Sequence, residues 1–311
     1  MCSYFSQSSF RYVSAAHIIV SLHADQNILF HSLLTHTLIR QLIGFNDEIT
    51  DATFLRTASS HHDTYLALAT NSSLIRVYST ETYDARLLSS HTGIVLTLDK
   101  GAGGRVLVSG SKDHSARIWA HSDATVQIQH ALWGCVAVCE GHAESVGATA
   151  MSRTGGMGDS GGLRFMFTGS QDRTIKMWDL STVPLDLASS SHGVIPEPVR
   201  PNSLTTHRAH DKDINSLDVA PNDRLLASGS QDKTAKVFDI EYIVSGNGNI
   251  RGEIRLLGVC KGHKRGIWNV RFGRTERVLA TASGDKTVKL WSLDDFTCLK
   301  VRILQHFHHV K

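Results

Sequence analysis

The sequence is poor in the features that would settle its chemistry at a glance. Its 311 residues include only five cysteines, five prolines and 7% aromatics, and the formal net charge is +3. Cys2, Cys135, Cys139, Cys260 and Cys298 are odd in number and scattered, which argues for reduced thiols rather than a disulfide framework. Cys135 and Cys139 alone are close, and one Cys-x3-Cys pair is a weak metal signal, so two buried thiols are expected there. No apolar run approaches the roughly 20 residues of a membrane-crossing helix, which excludes a helical span. Residues 17–22 are the most apolar stretch near the start, but they are few and lack a basic lead, so they read as a strand rather than a signal peptide. The small net charge does not announce a nucleic-acid binder. Basic residues nonetheless outnumber acidic ones from Ile250 to Lys311. A local basic face there would suit an anionic partner such as RNA, although on charge alone a solvated face is an equal reading.

What the chain does have is a repeat. Four stretches align: Ser109-Gly-Ser-Lys-Asp-His-Ser-Ala-Arg-Ile-Trp119, Thr168-Gly-Ser-Gln-Asp-Arg-Thr-Ile-Lys-Met-Trp178, Ser228-Gly-Ser-Gln-Asp-Lys-Thr-Ala-Lys-Val-Phe238 and Thr281-Ala-Ser-Gly-Asp-Lys-Thr-Val-Lys-Leu-Trp291. In each, an Asp stands six residues before an aromatic, with apolar and polar positions alternating between them. Period-two alternation predicts strands, and the Asp-centred segment predicts a tight turn. A histidine precedes each Asp: His91, His142, His210 and His263. The His-to-Asp separation is 22 residues in three units and 30 in the one from His142 to Asp172, where the surplus falls in the glycine-rich segment 155–162. A weaker copy runs from Gly44 to Tyr78, with Phe45 at the His place and Ser72 at the Asp place. A partial one ends near Phe30.

These units resemble the WD40 repeat, carried by Gly141-His142, Gly262-His263, Trp178-Asp179 and Phe238-Asp239. The resemblance implies an all-β fold, a β-propeller of four-stranded blades around a central channel. It also implies hydrogen-bonded structural sets. These join His91, Asp113 and Trp119; His142, Asp172 and Trp178; His210, Asp232 and Phe238; and His263, Asp285 and Trp291, the last with Thr281 or Ser283. Phe238 lacks an indole donor, so its set should be shorter. Ser, His and Asp in proximity suggest a hydrolase, but four copies, each tied to an aromatic, are better explained as staples between strands, because a catalytic triad needs one exposed nucleophile and an oxyanion hole. The glycine clusters at 101–104 and 155–162 lack the Lys-Ser/Thr of a phosphate-binding loop. His306, His308 and His309 lie in a short tail that reads as an unstructured end rather than a metal site. No catalytic residue, cofactor or metal is therefore expected, and no membrane or small-molecule partner.

Binding must then use surfaces. Lys112, Lys212, Lys261, Lys264, Arg265 and Lys286 fall in or beside the loops that follow the histidines and flank the Asp turns, and they form the candidate binding face together with Trp268. For Trp268 the favoured expectation is packing between blades.

Two stretches are more specific than a generic repeat: Ala209 to Asp223 with the Gly229-Ser-Gln-Asp-Lys-Thr-Ala-Lys236 that follows, and Lys261-Gly-His-Lys-Arg-Gly-Ile-Trp268 with Thr281 to Thr287 and Asp295 to Lys300. They resemble the second propeller of the transducin-beta-like WD40 subunits associated with U3 small nucleolar RNA. That resemblance implies a non-catalytic scaffold of the small-subunit processome in the nucleolus of the nucleus, supporting processing of the precursor to 18S ribosomal RNA. Its partners would be other WD40 subunits, with U3 RNA and pre-rRNA in the same assembly. The alternative is a WD40 adaptor of another kind, such as a ubiquitin-ligase substrate receptor or signalling scaffold. By the same reading residues 1–16 are an amino-terminal extension, 17–300 the propeller and 301–311 a tail that leaves the pattern. The propeller is expected to be incomplete, with five blades plus a partial one, as in a fragment or truncated product whose edge strands are left unpaired.

Overall fold

A computed structural model of the protein describes residues 9–13, 18–22, 27–42, 48–56, 64–121, 133–154, 162–185, 197–246 and 248–303. The described residues form six four-stranded antiparallel sheets, each a meander of consecutive strands. These blades occupy residues 9–42, 49–89, 95–139, 146–208, 214–261 and 267–303. Successive blades pack through their first, innermost strands, in order from the first blade to the sixth.

Six complete blades replace the expected five and a fraction. The first reaches back to a strand at Ser9–Val13, inside the stretch assigned to an amino-terminal extension, and that strand pairs with Ile18–Leu22. The sixth ends in Cys298–Ile303, three residues into the supposed tail. The first blade was hard to count because it carries none of the His and Asp signature. Its second and third strands are short apolar runs, the third ending in a turn whose amides at Leu34 and Thr35 donate to Ser32, and runs of that length do not declare their period. Residues 1–8 and 304–311, with the three tail histidines, lie outside the described residues, as does most of the 155–162 insertion.

The inner strands of blades 2 to 6 share a β-bulge after their first residue, as between Val146 and Ala148 or Ile214 and Ser216. The extra residue resets which side chains face forward, toward the next blade. Across the four strands those forward side chains form cross-strand rows. In blade 3 one row is Asp99, Val108, Ile118 and Ala137. In blade 5 the equivalent row is Asp218, Ala227, Val237 and Gly258. From blade 1 to blade 5 each forward face is sealed by the backward face of the next blade. Between blades 4 and 5, Phe165, Phe167, Ile175 and Met177 meet Leu217, Val219, Leu226 and Phe238, nearly all fully buried. Full burial of such side chains contributes about 1.5–3 kcal/mol each. Close approach is helped by glycine: a Cβ on Gly169 or Gly229 would stand 2.7 or 2.8 Å from Ile214 or Ile267 of the following blade.

Candidate functional site

The repeated residues assemble at one rim of the propeller, where each blade's entry loop meets the turn between its second and third strands. In blades 3 to 6 the His Nδ1 lies 2.7, 2.8, 2.8 and 2.9 Å from the carboxylate of Asp113, Asp172, Asp232 and Asp285. The opposite ring nitrogen lies 2.8, 2.7, 2.7 and 2.8 Å from the hydroxyl of Ser109, Thr168, Ser228 and Thr281. Thr281 rather than Ser283 is thus the partner in blade 6; Ser283 instead donates to the Arg265 carbonyl. The indoles of Trp119, Trp178 and Trp291 donate to the same hydroxyls at 2.9, 2.8 and 2.8 Å.

Because an indole N–H can only donate, it sets the direction of the whole chain. The hydroxyl accepts from indole and donates to Nε2, which leaves the proton on Nδ1 to be donated to the carboxylate. Phe238 removes the first link in blade 5, as expected. The second blade has no such set: Leu68 stands in the hydroxyl position, opposite Arg76 as Ser109 is opposite Arg117, and Tyr78 fills the aromatic place.

Each Asp is bound more fully than its sequence neighbours suggest. Ser115, Thr174, Thr234 and Thr287, two residues on, each donate a hydroxyl at 2.6 Å. Burial alone would raise these carboxyls, but the bonds from His91 and Ser115 hold Asp113 well below the usual carboxylate range. The same balance lowers Asp172, Asp232 and Asp285. Burial lowers the His142 imidazole despite the Asp172 carboxylate beside it. Ser109, Thr168, Ser228 and Thr281, whose hydroxyls the imidazoles meet, are themselves 0–1% exposed. They are closed to any substrate, and the arrangement ties entry loop, second strand and third strand together.

The residue after each Asp, namely His114, Arg173, Lys233 and Lys286, adopts a left-handed backbone with φ of 66°, 71°, 74° and 66°. All four are basic and exposed. Only Lys286 was picked out from the sequence, although the aligned column Asp-basic-Ser/Thr carries the other three.

The proposed binding-face residues are all exposed, but they divide. Lys264, Arg265 and Lys286 come together in blade 6, because the Lys264 amide donates to Asp285 at 2.9 Å and Ser283 bonds the Arg265 carbonyl at 3.0 Å. Lys212 occupies the equivalent entry loop of blade 5, Lys112 the turn of blade 3, and Lys261 the outer strand of blade 5, opposite Thr234. Trp268 departs from the packing expectation and is 49% exposed. It stands where blade 5 has Asn215, whose amide reaches the Ile267 carbonyl of the next blade. Nothing among the described residues covers that edge of blade 6.

At the other end of the inner strands lies a cavity of about 560 Å³, lined by Asp99, Lys100, Arg153, Asp218, Arg271 and Arg274 among others. Arg153 bridges two blades, with Asp218 at 2.8 Å and Asp99 at 3.5 Å, and Arg271 adds a contact to Asp218 at 3.1 Å. Asp99, working against burial and joined by Asp218, pushes the Arg153 guanidinium above its ordinary range. Asp99 and Asp218 also accept the backbone N–H of Met151 and Phe272 in the next blade, at 3.0 and 2.8 Å. Blade 4 has Ala150 at that place. Its link to blade 5 runs instead through Asp223, which accepts the Arg153 and Thr154 amides at 2.6 and 3.0 Å. No group of three or more potential metal-ligating side chains occurs among the described residues. Cys135 and Cys139 are both buried in blade 3, and burial pushes both thiols up.

Known families agree with this geometry. A model of the WD domain, G-beta repeat, matches residues 84–120, 133–179, 201–239 and 254–292, just over half of the chain. The chain belongs to the WD40 family. Among curated WD40 relatives, mouse transducin beta-like protein 3 is 42% identical over 258 residues, covering 83% of this chain and 28% of the mouse protein. Yeast U3 small nucleolar RNA-associated protein 13 (Saccharomyces cerevisiae) is 33% identical over 66% of the chain and 23% of its own length. The ribosome biogenesis protein WDR12 homolog of Drosophila erecta is 27% identical over 66% of the chain and 43% of its own length. The chain therefore spans less than a third of the first two relatives.

Proposed function

We propose that the chain is a non-catalytic scaffold in ribosome biogenesis, a WD40 subunit of the small-subunit processome that works in the nucleolus with U3 small nucleolar RNA and the precursor to 18S rRNA. The 42% identity to transducin beta-like protein 3 carries this reading. The yeast relative named for U3 association supports it. The partners are other WD40 subunits, met through propeller faces, with the basic rim of blade 6 (Lys264, Arg265 and Lys286, beside Trp268) as the contact to try first. Lys112, Lys212 and Lys261 extend that rim to other blades. Sealed hydroxyls and paired carboxylates at the repeated sites suit a scaffold, because they spend their chemistry on holding blades in shape.

The test is to tag the chain in its own cells, purify it and probe the eluate for U3 RNA. Enrichment over a tagged unrelated WD40 protein, surviving moderate salt, is the expected result. Co-purification of ubiquitin-ligase subunits with no U3 RNA would overturn the reading in favour of an adaptor.

A further inference from the structure

Blade 5 carries the longest strands among the described residues. Its third and fourth strands, Thr234–Val244 and Ile250–Lys261, run 11 and 12 residues, against five to seven in every other described strand. The second strand of the blade begins at Leu225, opposite Asp239, so residues 240–254 project past it as a two-stranded ribbon. One face of the ribbon is fixed to blade 4. The Tyr242 ring lies 5.2 Å from Phe165, its hydroxyl donates to Asp179 at 3.4 Å, and a Cβ on Gly252 would stand 2.6 Å from the Met177 sulfur. The other face carries charge. Arg255 meets Asp239 at 3.3 Å and Arg251 meets Glu253 at 2.6 Å, yet Glu241 is paired directly opposite Glu253. Two acids thus share one arginine. Like charges directly opposite weaken a strand pair, and two strands alone are marginal.

The outer edge of the ribbon is open. The Ser245 N–H bonds to the Asn249 carbonyl, and the Ile240 N–H bonds to Arg224 on the opposite side. Alternation from either bond turns the N–H and C=O of Ile250, Gly252 and Ile254 away from the third strand. No backbone partner meets them among the described residues. Gly252 is buried through its faces, because the Arg251–Glu253 bridge crosses one and Met177 and Leu204 press on the other. Residues 250–255 hold no lysine, proline or bulge of the kind that guards an edge. Blade 3 shows what such an edge accepts. There the chain's own Val199 lies along the outer strand, donating to the Val136 carbonyl and accepting from the Val138 N–H, both at 2.9 Å.

We infer that this edge pairs with the same edge of a second copy of the chain, antiparallel about Gly252. The run Ile250-Arg251-Gly252-Glu253-Ile254 is its own complement. With a two-fold axis at Gly252, Ile250 of each copy faces Ile254 of the other, and Arg251 of each faces Glu253 of the other. The outward N–H and C=O groups of Ile250, Gly252 and Ile254 then meet. Arg251 and Glu253 fall in the non-hydrogen-bonded pairs, where side chains lie closest. Each Glu253 stands between Glu241 of its own chain and Arg251 of the second copy, which brings the cation that row lacks. The two ribbons become one four-stranded sheet. Pairing about Ile254 instead would set Glu253 against Arg255, which already serves Asp239, and would bring Arg251 onto Leu257, the unpaired residue of the ladder. An edge contact of this size gives a weak, concentration-dependent dimer. The inference does not depend on which assembly the chain serves.

Equilibrium sedimentation of the full chain tests it, with the wild type expected to pass from monomer to dimer across the micromolar range. Arg251 and Glu253 are 72% and 53% exposed, so charge reversal at either leaves the packing alone, and urea midpoints confirm that each variant is folded. Arg251→Glu alone and Glu253→Arg alone should each raise the dissociation constant at least tenfold, because a self-pair then sets like charges opposite each other. Mixed together, the two variants should associate with one another about as tightly as wild type, since every Glu of one copy faces an Arg of the other. Differently tagged copies show this directly, and no effect confined to a single chain can produce it. The inference is overturned if the wild type stays monomeric throughout the micromolar range. It is equally overturned if either variant dimerises like wild type, or if the mixed variants fail to associate.

Discussion

Ser109 and Ser228 offer a matched pair for asking what the buried networks contribute. Both hydroxyls are fully buried on the second strand of their blades. Ser109 Oγ meets His91 Nε2 at 2.8 Å and the Trp119 indole at 2.9 Å. Ser228 Oγ meets His210 Nε2 at 2.7 Å, but Phe238 brings no N–H. Serine to alanine is the same chemical change at each, removing one oxygen and leaving the backbone alone. Ser109→Ala strands two buried groups, and Ser228→Ala strands one. Leaving a buried polar group without its partner costs about 1–3 kcal/mol. The expected losses are therefore about 2–6 kcal/mol for Ser109→Ala and about 1–3 kcal/mol for Ser228→Ala, the difference being one orphaned indole. Urea unfolding followed by far-ultraviolet circular dichroism, with the slope checked for constancy, gives both numbers. A third variant, Ser109→Ala with Trp119→Phe, removes the orphan and should recover part of the loss after allowance for the smaller ring. If Ser228→Ala costs as much as Ser109→Ala, the directional chain from indole to carboxylate is wrong.

Three further outcomes follow from the same geometry. Arg153→Met leaves Asp99 and Asp218 facing each other across blade 4; with the arginine 28% exposed, a loss of about 2 kcal/mol is expected, between surface and buried pairs, and Asp99→Asn added to it should return part of the thermal midpoint. Acid should destabilise the fold in two stages. His142 is lowered by burial, so the unfolded chain binds its proton first and stability falls as pH drops below about 6.5; the four turn aspartates are also lowered, so a second loss sets in as pH falls through about 4. Burial lowers His207 as well, so His142→Gln should weaken the first stage and Asp232→Asn the second, read as urea midpoints from pH 7.5 to 3.5. Of the four described cysteines, Cys298 is exposed, while Cys260 is buried with its thiol pushed up to about 12. A thiol reagent on the native Cys2→Ser chain should therefore modify Cys298 alone, and rapid labelling of Cys135, Cys139 or Cys260 would contradict the packing.

The sequence showed clearly whatever repeats within a blade. His, Asp and aromatic recur at fixed spacing because each set closes over 22 or 30 residues of one meander, and a local geometry leaves a local pattern. Even there it was ambiguous between Thr281 and Ser283, since choosing one requires knowing which strand face points inward. The first blade was undercounted because its strands carry no signature. The packing expectation for Trp268 failed for a different reason: it rested on the usual burial of tryptophan, and no described residue covers the edge of blade 6 where it stands. Contacts between blades were not legible at all. Asp99 to Met151, Asp218 to Phe272 and Asp223 to Arg153 lie 52, 54 and 70 residues apart. They depend on the bulge that decides which inner-strand side chains turn forward.

That division has a consequence for where the specificity of this propeller resides. The His–Asp sets are nearly identical from blade 3 to blade 6, so they cannot distinguish one partner from another. The channel end and the forward faces differ between neighbouring blades: Thr53 in blade 2, Asp99 in blade 3, Ala150 in blade 4, Asp218 in blade 5 and Arg271 in blade 6 occupy one register position. In blades 3 and 5 the carboxylate is spent on the next blade's backbone, and in blade 4 Arg153 and Asp223 take over that task. At Arg271 the sign of the charge reverses, and its guanidinium turns back to Asp218 of blade 5 at 3.1 Å. A column whose residue changes from blade to blade is better placed to be read by a partner than one that repeats. By that criterion the channel-end column, with Arg271 half-exposed beside Asp218, carries more information about what this protein meets than any of the repeated histidines.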